Sequence, residues 1–519
     1  MQRLQTWSTP MDSNIAPQLP LTLRRVTLFV ITLVVGIVMG SSLIASWNEP
    51  QVASRLELYQ TDLLLRTTAW DGGGLSDEQA TLVRQNLLGD QPLQDAQKTY
   101  DSVRTTALKT ITDNTAETAT VAPSPRLQAA LTEQSELLDL LDLRLGILNA
   151  EQGDVAAAQA NWEAVKARQA RGDDLWRTAD TLNLLWQGDA VPADSAALLQ
   201  STLQGWFRDR ALTELYNRTA AAEALAQLEQ TETTTAQSLV VTLAAVGVVP
   251  VIGTVLGIGV LIFAGIQRLL KGADSLLAQN RDQGWETPWS VETVWLVVVG
   301  GFLFMGQLIV PLLIMPLRSP LAAFGIRGQA LFALAYYLMM SAGAIAVLFF
   351  AIRSYRPLPK DWFRINLKGG WLLWGLGGYL AALPLMLTVS LLNQQIWQGQ
   401  GGSNPLLQTV LEAQDPWALA IFFATASLAA PLFEEFLFRG FLLPSLTRYL
   451  PVWGAILVSS LVFAIAHLSL SEVLPLTVLG MVLGIVYTRS RNLLAPMLLH
   501  SAWNSITMLG LFLLGSSAS

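Results

Sequence analysis

The sequence predicts an all-α protein: a polytopic transmembrane helical bundle of about nine spans, with a helical soluble domain inserted after the first span. Three observations lead there. Of 519 residues, 52% are hydrophobic and only 14% charged, whereas soluble chains carry about 25% charged residues. The apolar residues gather into runs of about 18 to 28, the length that crosses a hydrocarbon layer. Between the first run and the others lies a long stretch of opposite character. Residues 48–237 hold 15 Lys and Arg against 28 Asp and Glu, and the rest of the chain holds 17 against 11. The whole-chain charge of −7 therefore averages an acidic soluble part and a basic-edged membrane part. This composition excludes nucleic-acid binding as the main activity, and the absence of cysteine removes disulfides, thiolate ligands and a cysteine nucleophile.

Residues 1–25 read as a cytoplasmic tail. The first run, 26–47, follows Arg24 and Arg25 and exceeds the roughly 7 to 15 residues of a cleavable signal core, so it is expected to be an uncleaved anchor. Residues 48–237 are rich in Ala, Leu, Gln and Glu with apolar positions at helical spacing, the pattern of a helical domain. Within it Leu145, Gly146, Gly153, Ala158 and Trp162 resemble the small and large positions of a tetratricopeptide hairpin, and Gln-Gly-Asp recurs at 187–189. Two imperfect copies do not make an array, because stacked repeats need about three units to bury a core, and an ordinary helical bundle fits as well. Residues 110–125 and 398–404 read as flexible connections.

Eight further spans are expected near 239–266, 294–314, 330–351, 371–391, 417–438, 453–470, 473–488 and 493–514. Residues 238–369 then form helices with basic loops, and 370–515 a catalytic-looking bundle. With the N-terminus in the cytoplasm, fifteen Lys and Arg fall on the inside of the short connections and only Arg318 and Arg327 outside. That asymmetry follows the positive-inside rule and puts the acidic domain on the extracytoplasmic or lumenal face of a bacterial plasma membrane or thylakoid-type membrane.

Ionisable residues inside lipid are costly and invite a functional question. Pro431-Leu-Phe-Glu434-Glu435-Phe-Leu-Phe-Arg439-Gly440 places Glu435 and Arg439 at i,i+4, where the guanidinium neutralises one carboxylate. Glu434 points about 100° away and needs another partner. The only two histidines of the chain follow: Phe463-x-x-x-His467 and His500-x-x-x-Asn504. A carboxylate and an imidazole can polarise a water, and an imidazole with an amide can stabilise an oxyanion. Taken singly, each element has a duller reading as a solvated helix edge, a packed histidine or interhelical polar contact. Their conjunction around both histidines is what points to a peptidase.

In that order on successive apolar helices, Glu434-Glu435-x-x-x-Arg439-Gly440, Phe463-x-x-x-His467 and His500-x-x-x-Asn504 resemble the CPBP family of intramembrane proteases, the CAAX-processing and bacteriocin-processing group. The resemblance covers about residues 370–515. It implies an endopeptidase in a conical helical bundle whose cavity opens toward the cytoplasm. By motif position, Glu434 with His467 would activate water, His500 and Asn504 would form the oxyanion hole, and Glu435, Arg439 and Phe463 would support them. The first anchor and the acidic domain look like additions to that bundle.

Glu434 falls toward the cytoplasmic end of its span and His467 near the far end of the next, so a common depth requires Pro431 and Pro444 to kink or break a helix. Glu434, His467 and His500 could also hold zinc with one position left for water, but no His-Glu-x-x-His occurs and Asn504 suits an oxyanion better than a metal. A cofactor-free reaction that survives chelation is expected. No phosphate loop or dinucleotide fingerprint is present. The expected partners are the lipid bilayer, a membrane-associated peptide or protein substrate, and a protein partner of the acidic domain. A non-enzymatic adaptor or immunity-type protein is the alternative reading, and a proton-linked transporter is weaker because no inverted repeat is visible.

Overall fold

The computed structural model of the chain describes residues 21–47, 52–118, 125–397, 401–402, 409–410 and 415–516. Among them there is helix and no strand. The first helix, α1 (Leu21–Ser46), is followed by a helical domain of α2 (Val52–Arg66), α3 (Asp77–Leu88), α4 (Pro92–Thr118), α5 (Pro125–Glu151), α6 (Val155–Arg168), α7 (Asp174–Gln187), α8 (Ser195–Thr202) and α9 (Gly205–Arg218). Local signals set these ends. Ser76 and Gln79 form a reciprocal capping box at the start of α3, and Gly188 closes α7 in the left-handed region at φ 88°. The connection expected over 110–125 is helical as far as Thr118, and its remainder, 119–124, lies outside the described residues. So do 398–400 and 403–404 of the second expected connection.

α5 and α6 form an antiparallel hairpin through a turn in which Gly153 takes φ 85°. Gly146 on α5 lies under Trp162 of α6, so close that an added Cβ would fall 2.1 Å from the indole Nε1. Trp162 is fully buried and donates to the Leu143 carbonyl at 3.2 Å. The small-against-large pairing expected from the sequence is the physical reason this hairpin closes. Beneath it the domain buries charge: Arg168 and Arg104 bind the fully buried Asp139 and Asp142, and Asp62 accepts from the Trp206 backbone N–H at 3.0 Å.

α10 (Ala222–Lys271) has 50 residues, about 75 Å at 1.5 Å per residue. The expected boundary at 237/238 falls inside it, so the polar stretch of the helical domain continues without interruption into the apolar one. There follow α11 (Val291–Ala322), α12 (Gly325–Ile352), α13 (Trp371–Trp397), α14 (Pro416–Leu446), α15 (Val452–Ile465), α16 (Leu470–Ser490) and α17 (Leu494–Ser516). Among the described residues, seven helices are long and apolar enough to cross a membrane: α1, α10, α11, α12, α13, α14 and α16. The two other predicted spans are the 14-residue α15, about 21 Å long, and α17, whose apolar run is interrupted by His500, Ser501, Asn504 and Ser505.

Small residues set the close crossings. A Cβ at Gly257 on α10 would meet the Leu380 carbonyl of α13, and one at Gly480 on α16 would meet Ser460 of α15. This is the packing expected where lipid supplies no hydrophobic drive between helices. α1 lies along α11, where Arg25 pairs with Glu292 at 2.7 Å and Trp295 donates to Thr32 at 2.7 Å.

Of the kink or break expected at Pro431 and Pro444, a break does not occur in α14. The helix runs from Pro416 to Leu446 and widens into π turns at 424–429 and 438–442, immediately before Pro431 and Pro444. A π segment at 296–309 precedes Pro311 of α11 in the same way. Proline offers no N–H to the carbonyl four residues back and crowds it. An i→i+5 turn passes that carbonyl to the next residue and makes room for the ring.

Candidate active site

α14 begins at a well-formed cap. The Asp415 carboxylate accepts from the backbone N–H groups of Trp417 and Ala418 at 2.9 and 3.0 Å, with Pro416 at the first helical position. Eighteen residues on, between the two π turns, come Glu434 and Glu435. Adjacent helical residues diverge by about 100°, and the two carboxylates have different surroundings. Glu435 is fully buried. Its Oε1 accepts from Arg439 Nη1 at 2.8 Å, the i,i+4 pair expected from the sequence, and is 2.8 Å from His500 Nδ1 on α17. Arg439 has no exposed surface either, donates through Nη2 to the Gly480 carbonyl of α16 at 3.0 Å, and lies over the Phe463 ring of α15. One buried ionic group thus joins the three motif helices, α14, α15 and α17, to α16. Gly440 completes it: a Cβ there would come within 2.9 Å of Phe363.

Glu434 keeps 14% of its side chain exposed. Its Oε1 accepts from the Tyr337 hydroxyl of α12 at 3.1 Å, and its Oε2 stands 3.9 Å from His500 Nε2. With Nδ1 of His500 committed to Glu435, Nε2 is the nitrogen directed at Glu434. Four residues along α17, the Asn504 amide donates to the Ala426 carbonyl at 2.7 Å, which leaves its second N–H and its oxygen for other partners.

His467 lies just past the end of α15. Its Nδ1 is 2.9 Å from the Phe463 carbonyl, so as a neutral ring donating through Nδ1 it holds its lone pair on Nε2. His467 makes no hydrogen bond or ion pair with Glu434. The two are linked through Phe463, whose ring meets His467 at 4.9 Å and His500 at 5.8 Å. The structure therefore brings Glu434, Glu435, Arg439 and His500 into one cluster, sets Asn504 a turn beyond, and places His467 against the ring of Phe463, which also meets His500.

Among the described residues no group of three or more His, Asp or Glu is arranged to hold a metal ion. His500 Nδ1 is taken by Glu435, and His467 touches neither carboxylate.

Three contacts were not foreseen from the sequence: Tyr337 on Glu434, Glu435 on His500, and the Gly480 carbonyl on Arg439. Tyr337 stands beside Tyr336 in an otherwise apolar helix, and tyrosines there more often mark an interface belt. The Glu435–His500 bond spans 65 residues and has no local signature.

Residues 416–506 match the family described as type II CAAX prenyl endopeptidase Rce1-like. The chain is 25% identical over 168 residues to the Bacillus subtilis (strain 168) protein YdiL, named as a membrane peptidase, across 32% of this chain and 68% of that one. It is 26% identical over 142 residues to the membrane-embedded CAAX protease MroQ of Staphylococcus aureus (strain USA300), across 26% of this chain and 56% of that one. No solved structure matches significantly. The matched residues carry all three motifs and the buried ionic cluster that joins them. In sequence, residues 416–506 of this chain are thus similar to the Rce1-like CAAX endopeptidase family.

Proposed function

We propose that the protein is an intramembrane endopeptidase that hydrolyses a peptide bond of a membrane-associated protein or peptide, with Glu434 as the base that activates water. The observation that carries this reading is the division of labour between two adjacent carboxylates. Glu435 is fully buried and bound to Arg439 and His500, whereas Glu434 is partly exposed and shared between Tyr337 and His500 Nε2. The first holds the architecture and the second is available for chemistry. The family match of residues 416–506 and the peptidase names of both relatives support the reaction class.

In this reading Glu434 takes a proton from a water as its oxygen attacks the scissile carbonyl. Tyr337 fixes the carboxylate through Oε1 and leaves Oε2 toward the reacting atoms. In this step His500 carries a proton on both ring nitrogens: Nδ1–H is held by Glu435, and Nε2–H donates to the developing oxyanion, joined by the free N–H of Asn504. Glu434 then gives that proton to the leaving amine as the C–N bond breaks, while His467, with its lone pair on Nε2, accepts a hydrogen bond from the attacking water. No step passes through a metal, and cleavage is expected to persist after chelation. Loss of activity on chelation with recovery on added zinc would overturn that part.

The basic connections are assigned to the cytoplasm by the excess of Lys and Arg there, which puts the helical domain on the opposite face. An adaptor role rests on that domain alone and leaves the Glu434 cluster without a purpose. The test uses purified protein reconstituted in lipid, incubated with membrane-associated peptides, with new termini read by mass spectrometry. Glu434→Gln should abolish their appearance while the protein stays folded. Equal cleavage by both would refute the proposal.

A further inference from the structure

The helical domain carries a cleft of its own. α9 and α10 run antiparallel through the connection at 219–221, and Arg210 Nη2 of α9 holds both carboxylate oxygens of Glu232 of α10 at 2.6 and 2.7 Å. Beside that bridge the two helices enclose, with Gln200 of α8 and Arg66 at the end of α2, a cavity of about 420 Å³, a volume within the range of ligand sites. Each wall is a single helix face. Ala224, Gln227, Leu228, Thr231, Glu232 and Thr235 line it from α10, and Arg208, Leu212 and Tyr216 from α9, in both cases at the i,i+4 spacing of neighbours on a helix surface.

Leu212 and Leu228 belong to the apolar core of the domain, and most of the remaining lining is polar. Gln200, Gln227 and Thr231 are exposed. Among the described residues neither glutamine side chain is bonded to the domain, so each offers donors and an acceptor. Thr231 gives its proton to the Gln227 carbonyl at 2.9 Å and keeps its lone pairs to accept. The charge is of the opposite sign to that of the domain. Arg66, Arg208 and Arg210 stand against Asp209 and Glu232 in the cleft and its adjoining recess, whereas residues 48–237 hold 15 Lys and Arg against 28 Asp and Glu. Both carboxylates are already engaged, Glu232 by Arg210 and Asp209 by Arg208 Nε at 3.0 Å. Arg208 still has 37% of its side chain exposed. In the recess Arg210 Nε is buried without a hydrogen-bond partner, and a buried donor of that kind calls for one.

We infer that this cleft binds an extended polypeptide segment of a membrane protein partner, with an acidic side chain of the segment set against Arg208. The lining face of α10 from Ala224 to Thr235 is about 16 Å long, the reach of about five extended residues. An extended chain lying there presents backbone N–H and C=O groups that match the two free amides and the Thr231 oxygen. Thr235, at one end of the cleft, is four residues from Leu239, where the apolar stretch begins, a distance of about 6 Å along the helix. The segment is therefore one that lies next to the membrane surface on the face of the helical domain. Nothing in this site involves Glu434, so the inference stands apart from the protease reading.

The test pans a random heptapeptide phage library against the full-length protein in lipid nanodiscs, with empty nanodiscs of the same lipid as the blank. The most enriched peptide is then synthesised with a fluorescent label and its affinity read by anisotropy. Enrichment of peptides carrying Asp or Glu is expected. Thr231→Trp, which fills the cleft from an exposed position, should weaken the labelled peptide at least ten-fold. Ala226→Trp, exposed on the opposite face of the same helix, should leave its affinity within two-fold of wild type. Arg208→Glu should turn the enrichment from acidic to basic peptides, a change that misfolding does not produce. Bound peptide should also slow amide exchange over residues 205–235. No enrichment above empty nanodiscs, wild-type affinity in Thr231→Trp, or an acidic preference kept by Arg208→Glu would each overturn the inference. Binding is read without cleavage, so an inactive protein that still selects these peptides sinks the protease reading and leaves the cleft assigned.

Discussion

Glu435→Gln should be far more damaging to the fold than Glu434→Gln, although the two residues are adjacent and the substitution is the same. The amide of Glu435→Gln keeps the volume but leaves the Arg439 guanidinium without its counter-charge in a place where neither side chain has any exposure. Removing one partner of a buried ion pair costs about 3–5 kcal/mol. Glu434 shares its carboxylate with a neutral tyrosine and is partly open, so its replacement forfeits one hydrogen bond to a charged group, at most about 1.5–3 kcal/mol. Arg439→Met should cost as much as Glu435→Gln, and the double replacement should cost no more than the worse single one, because it leaves no uncompensated charge. That non-additivity, a coupling of at least about 2 kcal/mol, is the signature of the pair. Unfolding in mild detergent, followed through tryptophan fluorescence, reads all four variants. Additive single effects, or a Glu435→Gln protein as stable as Glu434→Gln, would refute the assignment of Glu435 to architecture.

Tyr337→Phe removes the 3.1 Å bond to Glu434 and should lower kcat by about ten- to a hundred-fold, from about 1.5–3 kcal/mol for such a bond, with KM and thermal stability little changed; a rise in KM alone would contradict it. Gly146→Ala puts a methyl 2.1 Å from the Trp162 indole and should destabilise the helical domain by about 1–3 kcal/mol, the cost of overpacking, seen as faster amide exchange over α5 and α6; wild-type protection would count against the packing argument. Burial, with the charge of Asp62 adding to it, pushes the Tyr100 phenol up to about 12 from 10. The folded state therefore holds this proton more tightly than the unfolded state, and its contribution is intact below pH 10 and lost as pH rises toward 12, about 3 kcal/mol in all. Tyr100→Phe should flatten that part of the stability profile of the domain, and an unchanged alkaline slope would contradict it.

What was legible in the sequence was mainly local. The helices were visible because their apolar runs are long, and the Glu435–Arg439 pair because four residues is one turn. The Gly146 and Trp162 positions were readable from their small and large sizes, since a hairpin brings them together within a short stretch. The limits were equally physical. A proline reads as a break, and only the packed helix shows that a π turn absorbs it. The polar start of α10 reads as domain and its continuation as membrane, because composition changes at residue 238 while the hydrogen-bonded backbone does not. Contacts such as Tyr337–Glu434, 97 residues apart, depend on how α12 packs against α14. His467 lies beyond the end of α15 because that helix stops at Ile465, whereas hydropathy extended the span to residue 470.

The most direct test compares the termini of membrane proteins in cells that carry either the wild-type chain or Glu434→Gln at equal abundance. The account predicts a small set of new termini present with the first and absent with the second, each near a membrane surface. Identical sets in the two strains, with both proteins folded, would contradict Glu434 as the base and with it the protease reading.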